Sequence, residues 1–189
     1  SHMLQLQRIR EDTIGLWDTD VITYDNWSQK ADIKGKTDTP DNTDRTQVYT
    51  DGSKIESLVG SGYVIYQNGT EIATGTNKLR KHATVFQAEL VAIEQAILRL
   101  ERMNIRGKVT LHTDSLSAIQ GIKCRKVTSK QCCNTIQAIN RYGKTCTLII
   151  RWVKAHAGTP GNERADALAR SGGVSGIPLH VDFPLSHIK

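Results

Sequence analysis

Asn68-Gly69, set between two runs rich in strand-forming residues, is the feature that most restricts what this chain can fold into. Both residues tolerate the positive φ angles of a tight two-residue turn, so residues 62–67 and 71–76 are expected to pair as a hairpin. Residues 47–51 precede them as a third short strand, which makes the first part of the sheet antiparallel. The period then changes. Across residues 83–103, Phe86, Leu90, Ile93, Ile97 and Leu100 recur every three or four positions, the mark of an amphipathic helix. Lys108–Thr113 reads as the next strand, followed by a short helix through Ile122 and a second helix around residues 132–142. Residues 145–153 form a nearly continuous apolar run suited to a strand buried on both faces. A last helix, capped by Asn162, is expected to run through about Arg170. Strands first and strand–helix alternation afterwards predict an α/β domain with a mixed sheet flanked by helices.

The 189 residues suffice for one domain with appendages. Ser1-His2-Met3 reads as the scar of a cleaved tag. Residues 4–46 carry scattered apolar side chains and then a stretch of Asp, Thr, Gly and Pro, the composition of a partly flexible connector. The regular domain spans residues 47–171, and residues 172–189 read as a carboxyl-terminal tail. Charge is divided unevenly: residues 1–46 carry a net −3 and the remainder a net +9, which points the body of the chain toward a polyanionic partner. No apolar run reaches membrane length and no signal peptide is visible, so an intracellular location is expected. Cys124, Cys132, Cys133 and Cys146 lack the spacing of a zinc site and are expected as reduced, packed thiols.

Four acidic residues are the candidates for chemistry. Asp51 follows the strand-forming pair Val48-Tyr49 and precedes Gly52-Ser53, a position where a strand is expected to stop or turn. Asp114 closes a strand in the same way. Glu89 falls on the apolar stripe of the long helix, and Asp166 lies one turn inside the last helix. A turn aspartate bonded to its own backbone would explain Asp51 alone. Should all four meet in one cleft, their repulsion would call for divalent cations, and hard oxygen ligands around two ions suit phosphoryl displacement. Spacing by itself does not establish that meeting.

The stretches Tyr49-Thr50-Asp51-Gly52-Ser53, Gln87-Ala88-Glu89-Leu90 and His112-Thr113-Asp114-Ser115 come in order along the chain. Trp152-Val153-Lys154-Ala155-His156-Ala157-Gly158 and Gly161-Asn162-Glu163-Arg164-Ala165-Asp166 follow them. Together they resemble the successive motifs of type 1 ribonuclease H, over residues 47–171. The resemblance implies a five-stranded mixed sheet, its first three strands antiparallel and its fourth and fifth parallel, with helices on both faces. It also implies an endonuclease that cuts the RNA strand of RNA/DNA hybrids with two Mg²⁺ ions, Mn²⁺ substituting, and leaves 5′-phosphate and 3′-hydroxyl ends.

By the same resemblance Asp51 would be shared by both ions, Asp166 would hold the ion that activates water, and Glu89 and Asp114 would hold the other. His156 would assist proton transfer or product departure, and Glu163 would modulate metal occupancy. Gly52, Ser53, Thr84, Ser115 and Asn162 would contact substrate: Thr84 a DNA phosphate, and the Gly52-Ser53 backbone a ribose 2′-hydroxyl. Lys78, Arg80, Lys81, Lys123, Arg125, Lys126 and Lys130 would supply salt-sensitive phosphate contacts.

Only 42 residues separate Asp114 from His156, which leaves no room for the basic handle that many bacterial and cellular members insert there. That interval, the spelling of the histidine loop and the Pro184-to-Lys189 ending are similar to the carboxyl-terminal ribonuclease H domain of non-LTR retrotransposon polyproteins. The likeness implies an upstream reverse transcriptase in cis and a monomeric isolated domain. The alternatives are a cellular ribonuclease H without its handle and a catalytically silent hybrid-binding module. An integrase on a related fold lacks the Asn162-to-Asp166 motif beside a histidine loop.

Overall fold

A computed structural model describes residues 21–24, 46–123 and 129–182. The elements in chain order are β1 (Val21–Tyr24), β2 (Thr46–Ile55), β3 (Leu58–Gln67), β4 (Thr70–Leu79), α1 (Val85–Arg102), β5 (Lys108–Thr113), α2 (Leu116–Lys123), α3 (Lys130–Gly143), β6 (Thr147–Trp152), α4 (Pro160–Ser175) and β7 (Ile177–Pro178). They build one mixed sheet in the order β1-β6-β5-β2-β3-β4-β7. β2, β3 and β4 are antiparallel, and β5 and β6 run parallel to β2. Asn68 and Gly69 take φ angles of 51° and 78°, as the tight turn between β3 and β4 requires.

Among the described residues the sheet has seven strands, the five expected and two more. β1 lies parallel beside β6, and β7 lies parallel beside β4. Both additions occupy edges whose backbone N–H and C=O groups would otherwise lack sheet partners. β1 falls within the stretch read from composition as a connector, and β7 within the stretch read as a tail.

Alternation along the strands divides the core. Val48, Ile65 and Leu111 pack with Leu90, Ile93 and Ile97 of α1 and with residues of α2 and α3 on one face. Val64 packs with Ala165 and Leu168 of α4 on the other. Each large side chain fully buried in this way contributes about 1.5–3 kcal/mol. α1 is well delimited. Thr84 caps its start in a reciprocal pair with Gln87, and Asn104, at φ 55°, ends it with Ile105 N–H donating back to Leu100 O at 3.0 Å.

α4 approaches the sheet unusually closely. A Cβ on Gly60 would lie 2.1 Å from Gly173 N, and one on Gly62 would lie 2.5 Å from Ala169 N. Glycines in β3 therefore set how near α4, and with it Asp166, can come to the central strands. α4 also runs to Ser175, past the Arg170 end that the sequence suggested. Cys132, Cys133 and Cys146 are buried, while Cys124 lies outside the described residues. Among the described residues no helix is long and apolar enough to cross a membrane.

Candidate active site

Strand register creates the site. β2 and β5 pair in parallel from Thr46 beside Val109 to Thr50 beside Thr113, and there β5 ends. The next residue on each strand is an aspartate, so Asp51 and Asp114 stand side by side where the pairing stops. Asp51 is not at a strand end, contrary to expectation. Pairing with β3 carries β2 on to Ile55, and the turn falls at Glu56-Ser57 instead.

Glu89 reaches the same point from α1. Gly52 permits this, because a Cβ there would sit 2.5 Å from Glu89 N and 2.8 Å from the carbonyl carbon of Ala88. One carboxylate oxygen from each of Asp51, Glu89 and Asp114 lies within 4.8 Å of the others. Asp51 is 5% exposed and Glu89 6%. Gly52 N–H donates to Asp51 Oδ1 at 2.8 Å, and Trp152 Nε1–H donates to the backbone O of Asp114 at 3.2 Å.

Three like charges in so dry a place resist ionisation. Burial, and then the Asp114 charge, push Asp51 up to about 7. Burial lifts Glu89 well above the usual carboxylate range, with the charges of Asp51 and Asp114 adding to it. Asp114 is also raised, chiefly by burial, against the opposing hydrogen bond from Asn162 and the charge of His156.

The contribution of α4 is looser. Pro160 occupies the first turn and Thr159 is the cap, so Asn162 lies inside the helix and does not cap it as the sequence suggested. Proline, which needs no N–H partner and already holds a helical φ, fixes the start three residues earlier. Asn162 is buried and donates from Nδ2 to Asp114 Oδ2 at 3.5 Å. Asp166 does not join the close cluster. Its side chain is 28% exposed and pairs with Arg170 at 3.2 Å, while its charge still acts on Asp51 and Asp114. His156 is exposed at φ 53° in the loop before α4, close enough for its charge to act on Asp114. Glu163 is exposed in the first turn of α4.

The remaining sequence candidates have structural partners. The Thr84 hydroxyl accepts from Gln87 N–H at 3.0 Å, and Ser115 Oγ accepts from Ala118 N–H at 3.1 Å, so both hydroxyls cap helices. Ser53 is half-buried on β2 two residues beyond Asp51. Lys78, Arg80 and Lys81 line a groove of about 870 Å³ with His82 and His180. Lys130 is exposed at the start of α3, whereas the Lys123 side chain, Arg125 and Lys126 lie outside the described residues. Sequence reasoning passed over Arg170, although its i,i+4 spacing from Asp166 was a readable signal. It also passed over Tyr49, whose ring stacks on His112 with centroids 4.4 Å apart and fills the space that a Cβ on Gly161 would need.

The donor set suits hard divalent cations. Its ligand atoms are all oxygens, and Glu89 Oε2 and Asn162 Oδ1 are buried with no hydrogen-bond partner. Fold and site together define a class: a nuclease built on an α/β sheet, with a carboxylate centre able to hold such ions. The RNase H family model matches residues 43–173, and the chain belongs to that family. It is 35% identical over 138 residues to "Ribonuclease H" of Bartonella quintana, a match covering 66% of this chain and 86% of the relative. To "Ribonuclease H" of Nitrosococcus oceani it is 31% identical over 149 residues, 71% of this chain and 97% of the relative. The fold is shared with RNase H1 from the halophilic archaeon Halobacterium salinarum, at TM-score 0.54 and 24% identity over 68% of this chain and 96% of that one. It is shared too with the N-terminal RNase H domain of rv2228c from Mycobacterium tuberculosis, at TM-score 0.56 and 18% identity over 68% and 95%. The chain is a ribonuclease H enzyme.

Proposed function

We propose that this ribonuclease H hydrolyses the RNA strand of RNA/DNA hybrids, with Asp51, Glu89 and Asp114, joined by Asp166, holding two Mg²⁺ or Mn²⁺ ions. The observation that carries this reading is the trio of carboxylates, Asp51 and Glu89 buried and Asp114 half-buried, with oxygens within 4.8 Å of one another and proton affinities raised by burial and then by mutual repulsion. Such ions, when bound, acidify water and neutralise charge on the attacking and departing oxygens of a phosphodiester. The chain's own residues do the rest. Asn162 orients the Asp114 carboxylate from α4. Gly52, with no side chain, lets the α1 backbone close on β2 and so brings Glu89 beside Asp51; the backbone of Gly52 and Ser53 would meet a ribose 2′-hydroxyl. His156, exposed on its loop, would supply a proton to the departing 3′ oxygen or assist product departure. The products are a 5′-phosphate and a 3′-hydroxyl.

We further read the chain as the ribonuclease H part of a retrotransposon polyprotein, working on hybrids made by a reverse transcriptase in cis. The compact interval between Asp114 and His156 supports this. The alternative, a cellular enzyme lacking the handle, is supported in part by the match to bacterial ribonucleases H along most of their length.

The test is a cleavage assay on end-labelled RNA/DNA, RNA/RNA and DNA/DNA duplexes, with and without Mg²⁺, for the full chain and for Asp51→Asn. Cutting confined to the RNA strand of the hybrid, dependent on Mg²⁺ and lost in the variant, is expected. Equal cutting of all three duplexes, or full activity in Asp51→Asn, would overturn the reading.

A further inference from the structure

The segment after α4 joins the two faces of the sheet. It leaves Gly176 on the α4 face, passes the edge strand β4, and finishes against α1 on the opposite face. Asn77 Nδ2 donates to Ile177 O at 3.2 Å, and Leu179 N–H donates to Lys78 O at 2.9 Å. The Val181 side chain is 3% exposed, packed in a small core with Ala83, Ala88 and Val91. Val181 O and His82 Nε2 lie 3.2 Å apart, and Gln87 Nε2 donates to Asp182 O at 3.1 Å.

Gln87 is the pivotal residue. It is 2% exposed and satisfied on both sides: its Oε1 accepts from Thr84 N–H at 3.0 Å, closing the helix cap, while its Nε2 holds the segment. Two residues on is Glu89, and between them Ala88 touches both the Val181 core and the Gly52 backbone. The first turn of α1 is therefore clamped between β2 and this segment.

We propose that residues 177–182 form a positioning strap. It ties α4, which carries Asn162 and Asp166, to the start of α1, which carries Glu89, and so holds the two sides of the carboxylate centre in register. This inference rests on the proposed reading of that centre as a divalent-cation site. Groups that fix a ligating carboxylate matter through orientation, and losing one costs roughly 10–100-fold in metal affinity or activity.

The test compares the full chain with a chain ending at Gly176 and with Val181→Ala, which keeps every backbone bond of the strap. Mn²⁺ binding is read without substrate, from the electron paramagnetic resonance of the free ion, beside kcat and KM for the hybrid. Both variants are expected to bind Mn²⁺ more weakly, by about tenfold for the truncated chain, with kcat falling in parallel and KM nearly unchanged. A peptide of residues 177–189 added in trans should restore the truncated chain. Unchanged Mn²⁺ binding in Val181→Ala would overturn the strap, even if its unfolding temperature drops. Should the truncated chain not fold, Val181→Ala decides alone. Failure of the full chain itself to bind Mn²⁺ or cut hybrid would overturn the cation reading, and the strap with it.

Discussion

Asp51 and Asp166, assigned to one centre under the proposed function, stand in opposite environments. Asp51 sits within a ten-residue strand, 5% exposed, and burial drives its carboxyl up to about 7. Asp166 sits on a helix surface, 28% exposed, and already has Arg170 as a counter-ion. The sheet side of the site is set by backbone register before any cation arrives. The α4 side is adjustable, because an exposed ion pair of this kind contributes only about 0.3–0.5 kcal/mol and is readily exchanged for a better partner. On the proposed reading, part of the centre is thus built rigidly at an electrostatic cost, and part would be free to move onto the ion that removes it.

The contrast is open to test, and the largest effect should come from the rigid side. Glu89→Gln is expected to lower hybrid cleavage at saturating Mg²⁺ by about a thousandfold, the upper end for losing one preorganised electrostatic group. Asp166→Asn should cost closer to tenfold to a hundredfold, as for a group that orients or supplements a metal site. Equal losses in the two variants would erase the distinction between the sides. A smaller effect tests the adjustable side by itself. Arg170→Ala releases Asp166, so half-maximal activity should need about twofold less Mg²⁺ with kcat unchanged, the equivalent of one exposed i,i+4 pair. A rise in the Mg²⁺ requirement would mean that Arg170 helps hold Asp166 in its working position.

Much of the rigid side was legible in the sequence, because it depends on local pattern and strand order. Asn68-Gly69 announced the hairpin, the spacing from Phe86 to Leu100 announced α1, and Glu89 on that stripe announced an inward carboxylate. The misreadings arose where a distant partner overrides a local signal. Gly52-Ser53 has turn chemistry, yet β3 keeps β2 extended through Ile55. Asn162 is a good cap by type, yet Pro160 starts the helix ahead of it and frees the amide to reach Asp114. Val21-Ile22-Thr23-Tyr24 of β1 are strand formers by type but lie alone in an irregular stretch, and β7 is only two residues long, so pairing at the sheet edges is what defines both. The convergence of Asp51 with Glu89 and Asp114 depended on the family resemblance, since sequence spacing fixes neither the β2–β5 register nor the closeness of α1 at Gly52.

The sharpest test follows from the proton affinity of Asp51. In the unfolded chain its carboxyl titrates near 3.8, and in the cation-free fold at about 7. Between those values the folded state holds a proton that the unfolded state has lost, so this group's contribution to stability declines as pH rises from about 4 to about 7 and stays low above. The measurement is the unfolding temperature of the wild type minus that of Asp51→Asn, across that range, with and without Mg²⁺. Without the cation the difference should become steadily more negative toward pH 7, and Mg²⁺ should raise the wild type well above its cation-free value while leaving Asp51→Asn nearly unmoved. A difference that stays flat with pH, together with equal Mg²⁺ responses in the two proteins, would contradict a carboxylate centre held ready for divalent cations.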